Sequence, residues 1–242
     1  MGIRIQSKSV YSAPKYDLSL TSIPGRDGDI ISPNGRFSNV IISYNCFLPA
    51  KSIEELADKI TKVKNWLYKE PGKYHDLTDS YDKKFLRKAL FNSKLDISDE
   101  CMKIGVFTIS FSCKPLRYLI SGLVKQTYSS SVILTNEFSF SAKPYIKVNG
   151  KGTGTLTINN KVWNFETLNG YTECDSELMN YYHDTTLKND KVTGDGFPTF
   201  EYGENHIEFG GGITSVEIIP RWVSLWFRFY IRKMQLIFLH LV

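Results

Sequence analysis

The clearest helical period in the chain occupies a single stretch. From Ser52 to Lys69 the apolar residues Ile53, Leu56, Ala57, Ile60, Val63, Trp66 and Leu67 recur at steps of three and four, which paints one face of a helix. Ser52 with Glu55 reads as a capping box, the hydroxyl taking an amide of the first turn while the carboxylate reaches back. Pro71-Gly72 closes the segment, since proline cannot continue the ladder and glycine tolerates the reversal. Nearly everything else reads as strand. A lone amphipathic helix among strands has to pack on a sheet, so the chain is constrained to a mainly β fold.

In the first half, strands are expected at 40–48 (VIISYNCFL), 73–77, 87–92 and 105–113 (GVFTISFSC). The last alternates Val106, Thr108, Ser110 and Ser112 against Phe107, Ile109, Phe111 and Cys113, the pattern of a strand with one solvated face. Before them, RDGD at 26–29 and PNG at 33–35 bracket Ile30-Ile31. Asp-Gly and Asn-Gly tolerate positive φ and favour reversals, so this region reads as an exposed hairpin arm.

From Val124 to Ser141 the pattern weakens, as at a domain junction. Short strands then follow at 145–148, 154–158, 162–165, 197–200, 206–209 and 215–219, separated by turn-like sequence. Frequent short strands argue for a β-sandwich. The expected organisation is residues 1–135 as a β domain with helix 52–69, 136–225 as a sandwich, and 226–242 as an apolar, basic tail.

That tail, with the preceding residues 222–225, resembles a membrane span at first sight. Three cations interrupt it, however, and its longest uncharged piece, Met234–Val242, has nine residues where a span needs about 20. It reads as a surface helix or a buried terminal segment, with no membrane span. The N-terminus has no apolar run of signal length, and Gln6 stands where a myristoylation motif wants Ser or Thr. Synthesis and folding in a cytoplasm are expected.

Charge divides unevenly. Residues 1–135 carry 20 Lys+Arg against 13 Asp+Glu, whereas 136–224 carry 7 against 12. Two units with different partners, or complementary faces of an assembly, would show such a split. The basic residues are scattered among acids and form no stripe, which argues against sequence-specific nucleic-acid binding.

Chemistry is hard to find. Cys46, Cys101, Cys113 and Cys174 include no CxxC pair, the four histidines no HxH or HxxxH pair, and no GxSxG is present. Gly150-Lys151-Gly152-Thr153-Gly154-Thr155 fails both phosphate-loop templates and reads as a glycine hairpin between two strands; Gly210-Gly211-Gly212 reads as a turn. Asp79 with Asp82, or Asp175 with Glu177, are candidate glycosidase carboxylates, but any chain with 25 acids offers such pairs. Trp163, Tyr171, Tyr181 and Tyr182 stand amid Asn, Asp and Glu, so Trp163 and Tyr171 are candidate glycan contacts, although such aromatics more often fill sandwich cores. Nothing requires an enzyme, a metal or a cofactor.

Several stretches, in this order, carry a family likeness: RDGD then PNGR, the capped helix ending in WL, PGKYHDLTDSYD, FTISFSCKPLRYL, AKPYIKVNGKGTGTLTINN, DSELMNYY and GITSVEIIPRWVSL. Colinear over about residues 1–225, they resemble the distal tail protein (Dit) family of long-tailed phages and prophages of Gram-positive bacteria. The resemblance implies an N-terminal β domain with one packed helix and a C-terminal galectin-like β-sandwich. It further implies a homo-hexameric ring at the virion's tail tip. That ring joins the tail tube and tape-measure protein to a tail-associated lysin or receptor-binding module, and DNA passes through its lumen. Family chains end near Ser224-Leu225, so residues 226–242 depart from the pattern. Within this picture, Arg26, Asp27, Asp29 and Arg36 are expected to make charge pairs between subunits, and the basic excess of the first half to face the lumen or an acidic partner. The alternative from another class is a carbohydrate-binding protein that attaches to host wall polysaccharide.

Overall fold

The structure, a computed structural model, describes residues 2–8, 13–100 and 103–225. The chain divides into two compact units, Met1–Arg117 and Tyr118–Val242. The junction therefore falls earlier than the 135/136 boundary expected from sequence. The reason is strand pairing: the Ser/Thr-rich stretch contributes two strands, at 126–128 and 132–136, to the sheet of the second unit. The expected tail 226–242 and Cys101 lie outside the described residues.

The first unit contains β1 (Arg4–Lys8), β2 (Tyr16–Thr21), β3 (Ile30–Phe37), β4 (Val40–Pro49), α1 (Ile53–Leu67), β5 (His75–Leu77), β6 (Phe85–Leu90), β7 (Ile97–Glu100) and β8 (Ile104–Leu119). Its main sheet runs β1-β4-β8-β6-β5, with β7 also on β8. β4 alternates strictly: Val40, Ile42, Tyr44, Cys46 and Leu48 are buried while their neighbours face outward. Register with β8 is continuous from Val40↔Cys113 to Pro49↔Ile104, so the inward rows of both strands form one apolar surface.

α1 covers that surface. Ser52 caps it, accepting from the Glu55 amide at 3.3 Å, while the Glu55 carboxylate reaches back to the Lys51 amide at 2.7 Å rather than to that of Ser52. The buried stripe is narrower than the sequence pattern, comprising Leu56, Val63 and Leu67, whereas Ile53 and Trp66 stay about half exposed. Phe91, Leu95, Phe107 and Ile109 complete the core. Cys46 and Cys113 are free and buried within it, and burial pushes the Cys113 thiol up to about 11.

The second unit contains β9 (Gln126–Tyr128), β10 (Val132–Asn136), β11 (Tyr145–Ile158), β12 (Lys161–Asp175), β13 (Asn180–His183), β14 (Thr186–Leu187), β15 (Val192–Gly194), β16 (Gly203–Ile219) and β17 (Val223–Ser224). Three of these are long, and they replace several expected short strands. The segments 145–148 and 154–158 are one strand, β11, and 206–209 and 215–219 are likewise one, β16. The segment 197–200 is mostly irregular, with Phe200 alone bridging to Ala142.

The two glycine runs read as turns thus lie inside strands, opposite each other, where the β11–β16 register shifts between Asn149 and Gly154. Their role is close approach. A Cβ on Gly212 would stand 1.9 Å from the Lys151 carbonyl oxygen, and one on Gly150 would stand 2.2 Å from that of Gly212. Sequence alone does not separate a glycine that turns a chain from one that lets two backbones touch.

This seam divides the sheet. On one side β9, β16, β11, β12, β13 and β14 pair through 216–218, 145–149 and 171–175. On the other, β10, β16, β11, β12 and β15 pair through 203–211, 154–158 and 161–165. Inward residues from both sides meet in one core, Ile146, Val148 and Val216 with Leu156, Trp163 and Ile207. Phe165 and Tyr181 pack edge to face between the two sides, their centroids 6.3 Å apart. The result is the β-sandwich expected from sequence, made largely by bending long strands across a core.

Candidate functional site

The first unit carries one element that its own core does not use. β2 and β3 form a separate two-stranded ribbon joined by a turn at 22–29, in which Arg26, Asp27 and Asp29 are exposed. Asn34 and Gly35, expected to reverse the chain, lie inside β3. Tyr16 pairs with Phe37 and Leu18 with Pro33, so three residues of β3 oppose the single residue Asp17. Gly35 takes φ +67 there, and the Asp17 carboxylate accepts from Asn34 Nδ2 at 3.1 Å and from Arg36 Nε at 2.6 Å.

Register then sorts the ribbon into two faces. Tyr16, Phe37, Leu18, Pro33, Leu20 and Ile31 share one; Asp17, Ser19, Ser32, Asn34 and Arg36 share the other. On the apolar face Leu20 is 60% and Ile31 62% exposed, and neither belongs to the core of the unit. An isolated two-stranded ribbon is marginal in water, and one with a bare apolar face is built to be covered. Of the four charges expected to pair between subunits, Arg36 is committed within its own chain to Asp17, while Arg26, Asp27 and Asp29 stand in the turn.

The candidate catalytic carboxylates are structural. Asp79 accepts from Lys8 Nζ at 2.7 Å, from the Tyr44 hydroxyl at 2.5 Å, and from the Tyr81 and Asp82 amides. Burial acts to raise its pKa, but the Lys8 ammonium and the Tyr44 hydroxyl outweigh this and hold it below the usual carboxylate range. Asp82 pairs with the buried Arg117. Asp175 takes a bidentate pair from Arg221 at 2.7 and 2.8 Å, and its pKa too is held down against burial, chiefly by Arg221. Glu177 accepts from the Tyr118 hydroxyl. A glycosidase acid needs a raised pKa, the opposite of what Asp79 and Asp175 have. Among the described residues no three His, Cys, Asp or Glu gather as metal ligands.

The two candidate glycan contacts part company. Trp163 is 1% exposed and donates from Nε1 to the Gly196 carbonyl at 2.9 Å; it is core, because its strand position alternates inward. Tyr181 is also buried. Tyr171 is half-buried, but its ring is already occupied: His183 stacks on it at 4.3 Å and Lys147 Nζ stands 3.7 Å from its centroid. Its hydroxyl is bound to Asp184.

The described geometry thus offers a helix-backed β unit with a spare ribbon and a glycine-bent sandwich. Residues 3–113, nearly the whole of the first unit, match the Sipho_tail family model, described as the phage tail protein RIFT-related domain. Over both units the fold is that of a distal tail protein. The crystal structure of the Dit protein (gp 19.1) of phage SPP1, described as a paradigm of the hub adsorption apparatus in phages infecting Gram-positive bacteria, superposes with a TM-score of 0.68 at 12% identity, covering 89% of this chain and 91% of that one. The phage p2 baseplate in its activated conformation gives TM-scores of 0.46 with Sr and 0.42 with Ca, at 8% and 10% identity; each match covers 90% of this chain, and 90% and 89% of the respective baseplate chains. No curated protein sequence matches the chain. The family likeness drawn from the sequence motifs holds, and no helix among the described residues is long and apolar enough to cross a membrane.

Proposed function

We propose that this phage tail protein is the structural hub of the tail tip. Six copies close into a ring through their first units, join the tail tube and tape-measure protein to a tail-associated lysin or receptor-binding module, and leave a channel for DNA. Assembly takes place in the host cytoplasm, the finished ring residing in the virion. The observation that carries the reading is the ribbon of β2 and β3, an amphipathic element on a tail-family domain with an apolar face that its own core leaves bare. An arm of this kind, seated on the next copy, makes the head-to-tail contact from which rings close. Arg26, Asp27 and Asp29 at its turn supply the charges for pairing with that neighbour. Immunogold labelling of intact tails with antibody against the chain tests the location. Gold is expected at the distal tip; gold along the tube or at the head-proximal end overturns it.

A further inference from the structure

We propose that the apolar surface around Arg221 on the second unit is the docking site of the chain's own residues 226–242. Two parts of that unit meet at Arg221. Its amide donates to the Gly122 carbonyl at 2.8 Å, between Ile120 and Val124 in the chain. Its guanidinium holds Asp175 at 2.7 and 2.8 Å and stands 3.7 Å from Glu177, whose carboxylate also accepts from the Tyr118 hydroxyl at 2.7 Å. Ile120 and Val124 on one side, and Leu178 and Met179 in the turn on the other, are all exposed, Leu178 at 64% and Met179 at 60%. None of the four belongs to the core of the unit.

The turn is an unfavourable place for such a pair. Met179 takes φ +53, in the left-handed region that Gly, Asn and Asp enter most easily and that bulky side chains avoid. Solvation and backbone preference both favour a polar residue there. Leu178-Met179 thus breaks two local rules at one exposed point, which marks a surface that something covers.

What covers it follows from where the chain goes next. Arg221 stands four residues before Leu225, and the seventeen that follow comprise 12 apolar or aromatic residues, Gln235, His240 and the cations Arg228, Arg232 and Lys233, with no acid. Residues 118–225 carry 8 Lys+Arg against 12 Asp+Glu, so segment and unit are opposite in charge. A segment this apolar needs cover of its own. Seventeen residues can reach up to roughly 60 Å from Leu225, ample for the turn that Arg221 already touches. Being tethered beside the site, the segment binds at an effective concentration that a separate partner would have to match. Neither the ring nor the hub is needed for this contact.

The test is limited trypsin digestion of the full chain, with mass spectrometry reading the cuts after Arg228, Arg232 and Lys233. Leu178→Asn/Met179→Asn removes the apolar pair and suits the left-handed turn, while Val124→Asn alone alters the opposite side. Cleavage tracks the population of the undocked segment, so the wild type is expected to be cut there at least about tenfold more slowly than either variant, at a rate unchanged by dilution. Equal, fast cutting of wild type and variants means that nothing covers the segment and overturns the proposal. Equal, slow cutting means that it is covered elsewhere and overturns the site. Protection that fades on dilution assigns the segment to a second copy. Protection that appears only with vesicles of phosphatidylglycerol assigns it to an anionic lipid surface. Either of these last results overturns the contact within one chain.

Discussion

Arg36 Nε lies 2.6 Å from Asp17 Oδ2, across a bulge in which one residue of β2 faces three of β3. With Asn34 on the other carboxylate oxygen, this contact fixes a conformation that an Asn-Gly pair would otherwise use to turn. Hydrogen bonds from Asn34 and Arg36 hold the Asp17 pKa below its ordinary 3.8. A lowered carboxylate pKa contributes order that is complete above the ordinary value and lost as pH falls through the folded one. NMR shifts of Gly35 should therefore be constant from pH 7 to about 5 and move only below about 4. In Asp17→Asn they should be displaced throughout. Identical shifts in both proteins at pH 5 would remove the clamp.

The apolar face of the ribbon makes a separate prediction. Leu20→Arg with Ile31→Arg places two charges where a neighbouring copy is to sit. Both side chains are well exposed in the single chain, so stability should change by no more than about 0.5 kcal/mol. Light scattering should nevertheless show loss of the assembled species. Full-size assemblies from this variant would show that the ribbon is not the clasp.

Glycines of the seam should respond unequally to one methyl group. Gly212→Ala pushes a Cβ to 1.9 Å from a backbone oxygen, whereas Gly210→Ala meets nothing closer than Thr155 Oγ1 at 3.8 Å. Urea unfolding should show a loss of about 3 kcal/mol or more for the first and less than about 1 kcal/mol for the second. Equal effects would mean that the strands do not touch there.

Trp163→Ala should cost about 3–5 kcal/mol, as expected for emptying a buried aromatic site. Tyr171→Ala, at a half-buried surface position, should cost far less. A screen that found glycan affinity abolished by Trp163→Ala without destabilisation would restore the carbohydrate-binding alternative.

Much of this was legible in the sequence where side-chain period follows from burial. The alternation of β4 and β8 and the helix with its Ser52 cap follow from local pattern. What was not legible depends on partners distant in the chain. Gly150 and Gly212 look like turn glycines until each is seen against the other's strand. Trp163 among polar residues looks like a surface platform until the fold gathers it into one core with Leu156 and Ile207. Asp79 and Asp82 resemble a catalytic pair until Lys8 and Arg117 arrive from either end of the first unit. The motif order carried the family likeness, but the single apolar surface shared by β4 and β8 needed the register between them.

The most direct test of the hub is the mass and shape of the purified full-length chain, by light scattering coupled to negative-stain microscopy. Six copies of 27.7 kDa predict a particle of about 166 kDa with a central hole. A single species at 27.7 kDa, with no ring on any grid, would contradict the account.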